Sequence, residues 1–361
     1  MQRRSKCSIT AIDVEFDDEE DVQESERKDG SKPHAHVRNQ TRRRVAQPTG
    51  ARMSLGAWLL GAACAPIVLT WCTYLLHHAV LAWTCKEQDL KKKYEAKWAL
   101  VTGSSSGIGK ALAKRLAEQG IDVVLVSLDD PLLQETYDEL VRQFPERSFR
   151  KVGVHLGQPG YMPHIQGATE DIDVQLVFNN AGYMLTGFFL QTPVEKQMEN
   201  LECNAVCAMQ ITHHFVKKMK DKKMKGCVVF TSSAAASMPS PFTVLYAATK
   251  SFLSSFGASL AAEVKCYGID VLVVHPSPVA SRFYDKAHKL DALDFFKKFS
   301  VGPSELPDVI FGSIGRTVWR DIGMVAVLFR LLMKLVDYNF LATLTANTAH
   351  TMKDFKRHAI S

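Results

Sequence analysis

The sequence predicts an α/β domain, a parallel β-sheet covered on both faces by helices and tethered to a bilayer through an N-terminal transmembrane helix. Three observations carry this expectation. Short apolar runs recur from Ala96 onward between stretches able to form helices; the segment between Arg52 and Lys86 holds no Asp, Glu, Lys or Arg; and the residues before it include few large apolar side chains.

Taken in order, residues 1–52 form a charged tail with an acidic run from Asp13 to Asp21. Such a composition cannot bury enough apolar surface to offset chain entropy, so a disordered tail is expected, and the acids argue against a mitochondrial presequence. Residues 53–85, MSLGAWLLGAACAPIVLTWCTYLLHHAVLAWTC, are long enough to cross roughly 30 Å of hydrocarbon as a helix. Trp58, Trp71, Tyr74 and Trp83 include candidate interfacial anchors, while Pro66 suggests a kink and the pair His77-His78 a wetter C-terminal end. A buried soluble helix is the alternative. Arg42, Arg43, Arg44 and Arg52 flank one end and Lys86, Lys91, Lys92, Lys93 and Lys97 the other, so charge alone does not orient it. The expectation is a single pass with the main domain on the cytosolic, lysine side.

Residues 86–95 read as a basic linker and residues 96–321 as the main domain. Within it WALVT, IDVVLV, FRKVGVH, VQLVF, GCVVFT and IDVLVVH read as six buried strands with room for helices between them. Residues 322–361 form an apolar C-terminal region interrupted by Arg330, Lys334 and Asp337. There GMVAV reads as a last strand, and the residues after it as a helix lying against the membrane or an ordinary core helix.

Charge and cysteine usage narrow the function classes. Lys and Arg exceed Asp and Glu by 44 − 38 = 6. Basic segments beside a membrane account for so small an excess, and no nucleic-acid partner is expected. The eight cysteines include no Cys-x-x-Cys pair, and neither His34 with His36 nor His213 with His214 has a nearby carboxylate or thiolate to complete a ligand set. Buried thiols in a reducing compartment and no metal site are the expectation.

The stretch WALVTGSSSGIGKALA, from Trp98 to Ala113, permits three chemistries. A P-loop fails, since Ser104 stands where its first glycine belongs and Ala111 where its magnesium-binding hydroxyl belongs. A nucleophile elbow fits GSSSG with Ser105 as nucleophile, although here it would follow the first strand, with no upstream oxyanion loop. A dinucleotide cradle accounts for Gly103, Gly107 and Gly109 together: backbone N–H groups at a helix start face a pyrophosphate, and glycine permits its close approach.

Downstream residues favour the cradle. Tyr246 and Lys250 lie four apart in YAATK, inside a segment whose composition favours helix, so their side chains share a face. An ammonium beside a phenol favours the phenolate and lowers its pKa, which makes Tyr246 a usable proton donor or acceptor. Ser233 lies thirteen residues earlier, at the end of GCVVFT, where its hydroxyl can hydrogen-bond a carbonyl oxygen.

With these residues in place the sequence resembles the short-chain dehydrogenase/reductase family over about residues 96–285. TGSSSGIG matches its cofactor loop, NNAG from Asn179 to Gly182 the motif after its fourth strand, Ser233 with Tyr246 and Lys250 its catalytic trio, and Asn204 its helix asparagine. The resemblance implies a Rossmann-type, doubly wound domain that transfers hydride between a nicotinamide and a carbonyl or alcohol carbon. It implies Tyr246 as general acid in reduction, Ser233 positioning the oxygen, Lys250 binding the nicotinamide ribose and tuning Tyr246, and Asn204 holding a proton-relay water. The cofactor-binding residues it implies are Gly103, Ser105, Ser106, Gly107, Ile108, Gly109, Asn180, Ala181, Gly182, Tyr246, Lys250, Pro276, Val279 and Ser281.

The chain departs from the family pattern in three places. After the second strand, Ser127, Leu128 and Asp129 offer neither a ribose-binding Asp in register nor an Arg for an extra phosphate, which favours NADP(H) and leaves NAD(H) open through Asp129. His155 stands where an Asp near the adenine is usual. Pro276-Ser277 replaces a Pro-Gly after strand six, with Ser281 in the place of a threonine.

The order of membrane segment, domain and apolar C-terminal region is similar to the microsomal branch that includes 17-beta-hydroxysteroid dehydrogenases and very-long-chain 3-oxoacyl-CoA reductases, and so is YAATKSFLSSFGASLAAEV. That similarity implies an enzyme of the endoplasmic reticulum membrane reducing a ketone on a lipophilic substrate, whether 3-oxoacyl-CoA, steroid or sphingoid-base precursor, under a lid formed by residues 282–321. A homo-oligomer is an expected state, and a nucleotide-binding membrane scaffold without turnover is the alternative function.

Overall fold

The computed structural model describes residues 55–285, 287–288 and 290–358, so the charged tail expected at 1–52 lies outside the described residues. Helix α1, Leu55–Thr84, forms where the uncharged segment predicts it and runs through Pro66, whose carbonyl accepts the Thr70 hydroxyl at 2.7 Å. Its stretch Trp58–Thr84, 27 residues, contains an 18-residue window with a mean hydropathy of 1.8. The stretch is about 40 Å of helix, long and apolar enough to cross a membrane.

The expected basic linker is instead structured. Asp89 caps a short helix, α2 (Leu90–Tyr94), its carboxylate accepting from the Lys92 N–H at 2.9 Å, and Leu90 and Tyr94 are buried in the core. Three consecutive lysines hide this pair, which falls four apart on one helix face.

The chain then alternates strand and helix: β1 Trp98–Thr102, α3 Gly107–Glu118, β2 Asp122–Ser127, α4 Pro131–Gln143, β3 Phe149–Gly153, α5 Tyr161–Gly167, β4 Val174–Asn179, α6 Val194–Leu201, α7 Cys207–Asp221, β5 Gly226–Thr231, α8 Val244–Val264 and β6 Ile269–Pro276. After these come α9 Asp291–Lys297, α10 Leu306–Ser313, β7 Trp319–Ile322, α11 Met324–Leu332, α12 Tyr338–Thr348 and α13 Lys353–His358. The strands pair in parallel in the order β3-β2-β1-β4-β5-β6-β7. The order reverses direction beside β1, and a crevice opens at such a switch point beyond the strands' C-terminal ends.

Helices cover both faces, which is why the strands read as continuous apolar runs. On one face Leu112 and Leu116 of α3, Leu133 and Leu140 of α4 and Phe311 of α10 share a core; on the other Ile165 of α5, Phe215 of α7 and Leu253 of α8 share a second. Because α10 lies in the first core, residues 282–321 do not form one lid.

The last strand is WRDI, not GMVAV. Gly323, at φ +88°, turns the chain, and Met324 opens α11. WRDI conceals its strand character because its inward-facing residue is a carboxylate, Asp321, held by an ion pair with Arg330 rather than by apolar neighbours. Arg330 is one of its partners and so is turned into the protein, while Lys334 lies over the Tyr74 ring. Along α1 one stripe, Trp71, Tyr74, His78 and Leu81, is turned toward the domain and the rest is largely exposed.

Candidate active site

A cavity of about 1100 Å³ lies over the C-terminal ends of the central strands. At its floor β1 hands over to α3 through the glycine turn. Gly103 and Gly107 have φ of +63° and +53°, a region costly for other residues, and a Cβ on Gly103 would stand 2.9 Å from the Ala181 Cα. Ser106, the extended residue before α3, makes no side-chain cap bond, so the first N–H groups of the helix remain available to an anion. The Thr102 hydroxyl accepts the N–H groups of Asn180 and Ala181, each at 3.0 Å, which ties NNAG to this turn.

Thirteen of the fourteen residues implied for cofactor binding line the cavity: Gly103, Ser105, Ser106, Gly107, Ile108, Asn180, Ala181, Gly182, Tyr246, Lys250, Pro276, Val279 and Ser281. Gly109 does not. It is buried in α3, where a Cβ would stand 2.1 Å from the Gly103 carbonyl oxygen, so its part is to let the helix press onto the turn. The Ser105 hydroxyl lies 2.8 Å from that of Ser127, with no histidine in that contact. Ser105 is therefore built as a turn residue and not as an activated nucleophile.

Ser127, Leu128, Asp130 and His155 form the end of the cavity beside β2 and β3. Asp129 is absent from that wall: its carboxyl group lies against Gly153, where a Cβ would come within 2.6 Å of it. Asp130 caps α4, accepting from the Leu133 N–H at 3.0 Å.

At the opposite end β5 and α8 bring Ser233, Tyr246 and Lys250 together. The Tyr246 phenol and Ser233 line the same wall, and the Lys250 ammonium donates to the Thr231 carbonyl at 2.7 Å, 5.7 Å from the Tyr246 ring centre. Burial pushes the phenol above its ordinary value, with Tyr284 adding to the rise and the Ser233 hydroxyl opposing it. This corrects the expectation that Lys250 would lower it: desolvation wins where both groups are almost fully enclosed. Burial also lowers Lys250 itself, to about 8, with the Cys203 and Cys207 thiols opposing.

Asn204 sits behind this wall and not on it. It lies in a π-helical turn, Glu202–Val206, between α6 and α7, the kind of local widening often found at functional sites. Its amide brackets the Tyr183 backbone, accepting from N–H at 2.9 Å and donating to the carbonyl at 3.0 Å. A Cβ on Gly182 would stand 3.0 Å from the Asn204 Oδ1 and 3.4 Å from the Lys250 Nζ, so this glycine lets both groups close in.

The roof, expected over residues 282–321, comes from the first part of that segment and from residues beyond it. Phe283, whose ring centre is 5.7 Å from that of Tyr246, and Tyr284 close one side. Leu290, Phe296 of α9, Phe329 and Leu332 of α11 and Leu341 of α12 close the other. Their helical spacing was the available signal, but it equally describes a core face. A Cβ-free turn at a helix start, small hydroxyl side chains beside it and a Tyr–Lys pair opposite an apolar roof fit a nicotinamide dinucleotide with an apolar co-substrate.

The family model for short chain dehydrogenase matches residues 97–290. The hydroxysteroid dehydrogenase-like protein 1 of Gallus gallus is 28% identical over 245 residues, 67% of this chain and 73% of that protein. The very-long-chain 3-oxoacyl-CoA reductase-A of Danio rerio is 30% identical over 206 residues, 55% of this chain and 63% of that protein. The inactive hydroxysteroid dehydrogenase-like protein 1 of Homo sapiens is 31% identical over 196 residues, 54% and 58% respectively. The match thus spans less than two thirds of the latter two. A solved 7β-hydroxysteroid dehydrogenase shares the fold, with a TM-score of 0.62 and 23% identity over 71% of this chain and 99% of that one.

Proposed function

The chain belongs to the short-chain dehydrogenase/reductase family and is an oxidoreductase related to very-long-chain 3-oxoacyl-CoA reductases; from that premise we propose a membrane-anchored, NADP(H)-dependent reductase of a ketone on a lipophilic substrate. The observation that carries the reading is the meeting of Ser233, Tyr246 and Lys250 under an apolar roof. Polar groups that would orient a hydrophilic substrate are scarce there, whereas an acyl chain, steroid or sphingoid-base precursor would bury apolar surface against Phe283, Phe296 and Phe329.

The nicotinamide, when bound, supplies the hydride. The Ser233 and Tyr246 hydroxyls hold the carbonyl oxygen, and the phenol, kept protonated by its burial, gives its proton to that oxygen. Lys250 offers positive charge to the phenolate left behind and a donor to a ribose. Asn204, next to Lys250 and buried, has the place of a proton-relay residue.

The preference for NADP(H) over NAD(H) rests on the adenosine end of the cavity. Asp129, the acid suited to a ribose diol, is turned against Gly153, and the Ser105–Ser127 hydroxyl pair faces a position where an extra phosphate can be received. Helix α1 serves as the anchor, in the endoplasmic reticulum with the domain facing the cytosol, and the chain pairs with itself as other family members do.

The test is cofactor oxidation by the detergent-solubilised chain with NADPH and NADH against a panel of lipid ketones. NADPH-dependent turnover is expected, falling about 100-fold or more in Tyr246→Phe while NADPH binding persists. Cofactor binding by the wild type with no turnover of any ketone would replace the enzyme with a nucleotide-binding scaffold.

A further inference from the structure

We propose that a buried polar row running from the membrane helix to the catalytic lysine, Tyr74–Asp321–His275–Ser254, positions the main chain of Lys250 and thereby the reacting groups. The proposal rests on the reading of Lys250 as catalytic.

The row meets α8 at Ser254, one helical turn beyond Lys250 and two beyond Tyr246. The Lys250 carbonyl oxygen lies 2.8 Å from the Ser232 hydroxyl and 2.9 Å from the Ser254 hydroxyl, and the two hydroxyl oxygens are 2.8 Å apart. Ser232 immediately precedes Ser233, so one clamp fixes both the serine and the lysine of the site. Behind it His275 Nε2 is 2.9 Å from the Ser254 hydroxyl, and His275 Nδ1 is 3.5 Å from Asp321 Oδ1. Asp321 in turn accepts the Tyr74 hydroxyl at 2.9 Å and both Nε and an NH2 of Arg330, at 3.2 and 3.1 Å. Ser254, His275, Asp321 and Tyr74 come from α8, β6, β7 and α1, and Ser232 directly follows β5.

Each serine has one hydroxyl proton to give. A carboxylate facing Nδ1 favours the proton on that nitrogen; Nε2 then accepts from Ser254, and Ser232 is the hydroxyl that donates to the Lys250 carbonyl. Burial lowers His275 to about 4, so the imidazole is neutral and its two nitrogens keep these distinct roles at neutral pH. Ser232, Lys250, Ser254, His275 and Asp321 are all buried. Polar groups in such a place cost free energy unless satisfied, and hydrogen bonds hold every link of the row but one: His275 Nδ1, 3.5 Å from Asp321, makes no hydrogen bond, so this approach is the loosest point of the row. Ser254, His275 and Asp321 touch no reacting atom. What they determine is where the Lys250 carbonyl, and with it the turn of α8 carrying Tyr246 and Lys250, sits against β5.

The same three residues stand in the order of a hydrolytic nucleophile, base and acid, and Ser254 borders a second cavity of about 240 Å³. The test must separate the two uses.

The experiment uses the full chain in detergent with Tyr74→Phe, Asp321→Asn and Ser254→Ala. Hydrogen exchange read by mass spectrometry is expected to quicken in residues 246–254 in all three, with residues 107–118 of α3 unchanged. This arm needs no turnover, so it stands even where every lipid ketone fails. With a turned-over ketone, kcat is expected to fall about tenfold in Asp321→Asn and Ser254→Ala and about threefold in Tyr74→Phe, with KM and NADPH affinity within about twofold of wild type. Tyr74→Phe removes one hydroxyl from a half-exposed helix face and keeps the test readable if Asp321→Asn unfolds. Unchanged exchange in Tyr74→Phe, or losses of kcat, KM and NADPH affinity in parallel, would overturn the proposal. So would labelling of Ser254 by a fluorophosphonate, which would make that serine a nucleophile.

Discussion

Lys250 is enclosed beside the Tyr246 phenol, and in the proposed mechanism its environment sets the pH behaviour of the site. Burial brings the ammonium down to about 8, whereas the Tyr246 phenol is moved up and stays protonated through the same range. Reduction is therefore expected to slow as pH rises through about 8, because the positive charge facing the nascent phenolate is lost while the proton donor is intact. A kcat/KM profile from about pH 6 to pH 10 checks this, and Lys250→Arg, which keeps its charge, is expected to lose the alkaline limb at a lower overall rate. Stability runs the opposite way. The folded state holds fewer protons on Lys250 than the unfolded chain between about 8 and the ordinary 10.5, so this residue contributes stability that grows as pH rises through that window. Ser233, Tyr246 and Lys250 were legible in the sequence because their chemistry depends on residue type at close spacing, which a linear chain records. The sign of the Tyr246 shift was not legible, because it depends on how tightly Phe283, Tyr284 and the α11 side chains enclose the phenol, and tertiary packing alone decides that.

At the scale of elements, the strands and the glycine turn were readable and the joints between elements were not. The six apolar runs became β1 to β6; five are buried along nearly their whole length, and β3, at the sheet edge, is buried only at Val152. β7 escaped because Asp321 replaces an apolar side chain with a paired charge, and the π-helical turn around Asn204 has no residue pattern of its own. Gly109 looked like a cofactor contact and is a packing contact between α3 and the turn that precedes it. Gly109→Ala places a methyl group 2.1 Å from a backbone oxygen, which cannot swing aside as a side chain can. The helix must retreat, and the N–H groups of its first turn retreat with it. NADPH affinity is expected to fall roughly 100-fold, with a loss of stability of about 3 kcal/mol or more. Fluorescence titration with NADPH and thermal unfolding read the two effects. Gly167→Ala at the end of α5, where a Cβ meets nothing within 4 Å, is the control expected to leave both unchanged or raise stability slightly.

Over the whole molecule, the helix that predicts a membrane span is also a structural part of the domain. Leu81 is buried, Tyr74 reaches Asp321 across 247 residues of sequence, and Arg316 donates to the carbonyls of Thr84 and Lys86 at 3.2 and 3.0 Å. Contacts so distant in the chain leave no local mark on either partner, which is why α1 reads from sequence as an anchor alone. Removing residues 1–85 to obtain a soluble enzyme would strip Leu81 from its contacts and take one partner from Asp321. Burying a leucine is worth about 1.5–3 kcal/mol and a hydrogen bond to a charged group about as much. At roughly 2–4 °C per kcal/mol for a domain of this size, the truncated chain is expected to unfold about 6–24 °C below the full chain in the same detergent. Leu81→Ala in the full chain should reproduce part of that loss while leaving the membrane span long enough to sediment with vesicles. If the truncated chain unfolds at the same temperature as the full one, the docked stripe contributes nothing to the fold and α1 is only a tether. If Leu81→Ala lowers the midpoint and leaves sedimentation intact, one helix holds the domain at the bilayer with one part and braces β7 with another. The enzyme would then have to be studied with its anchor attached.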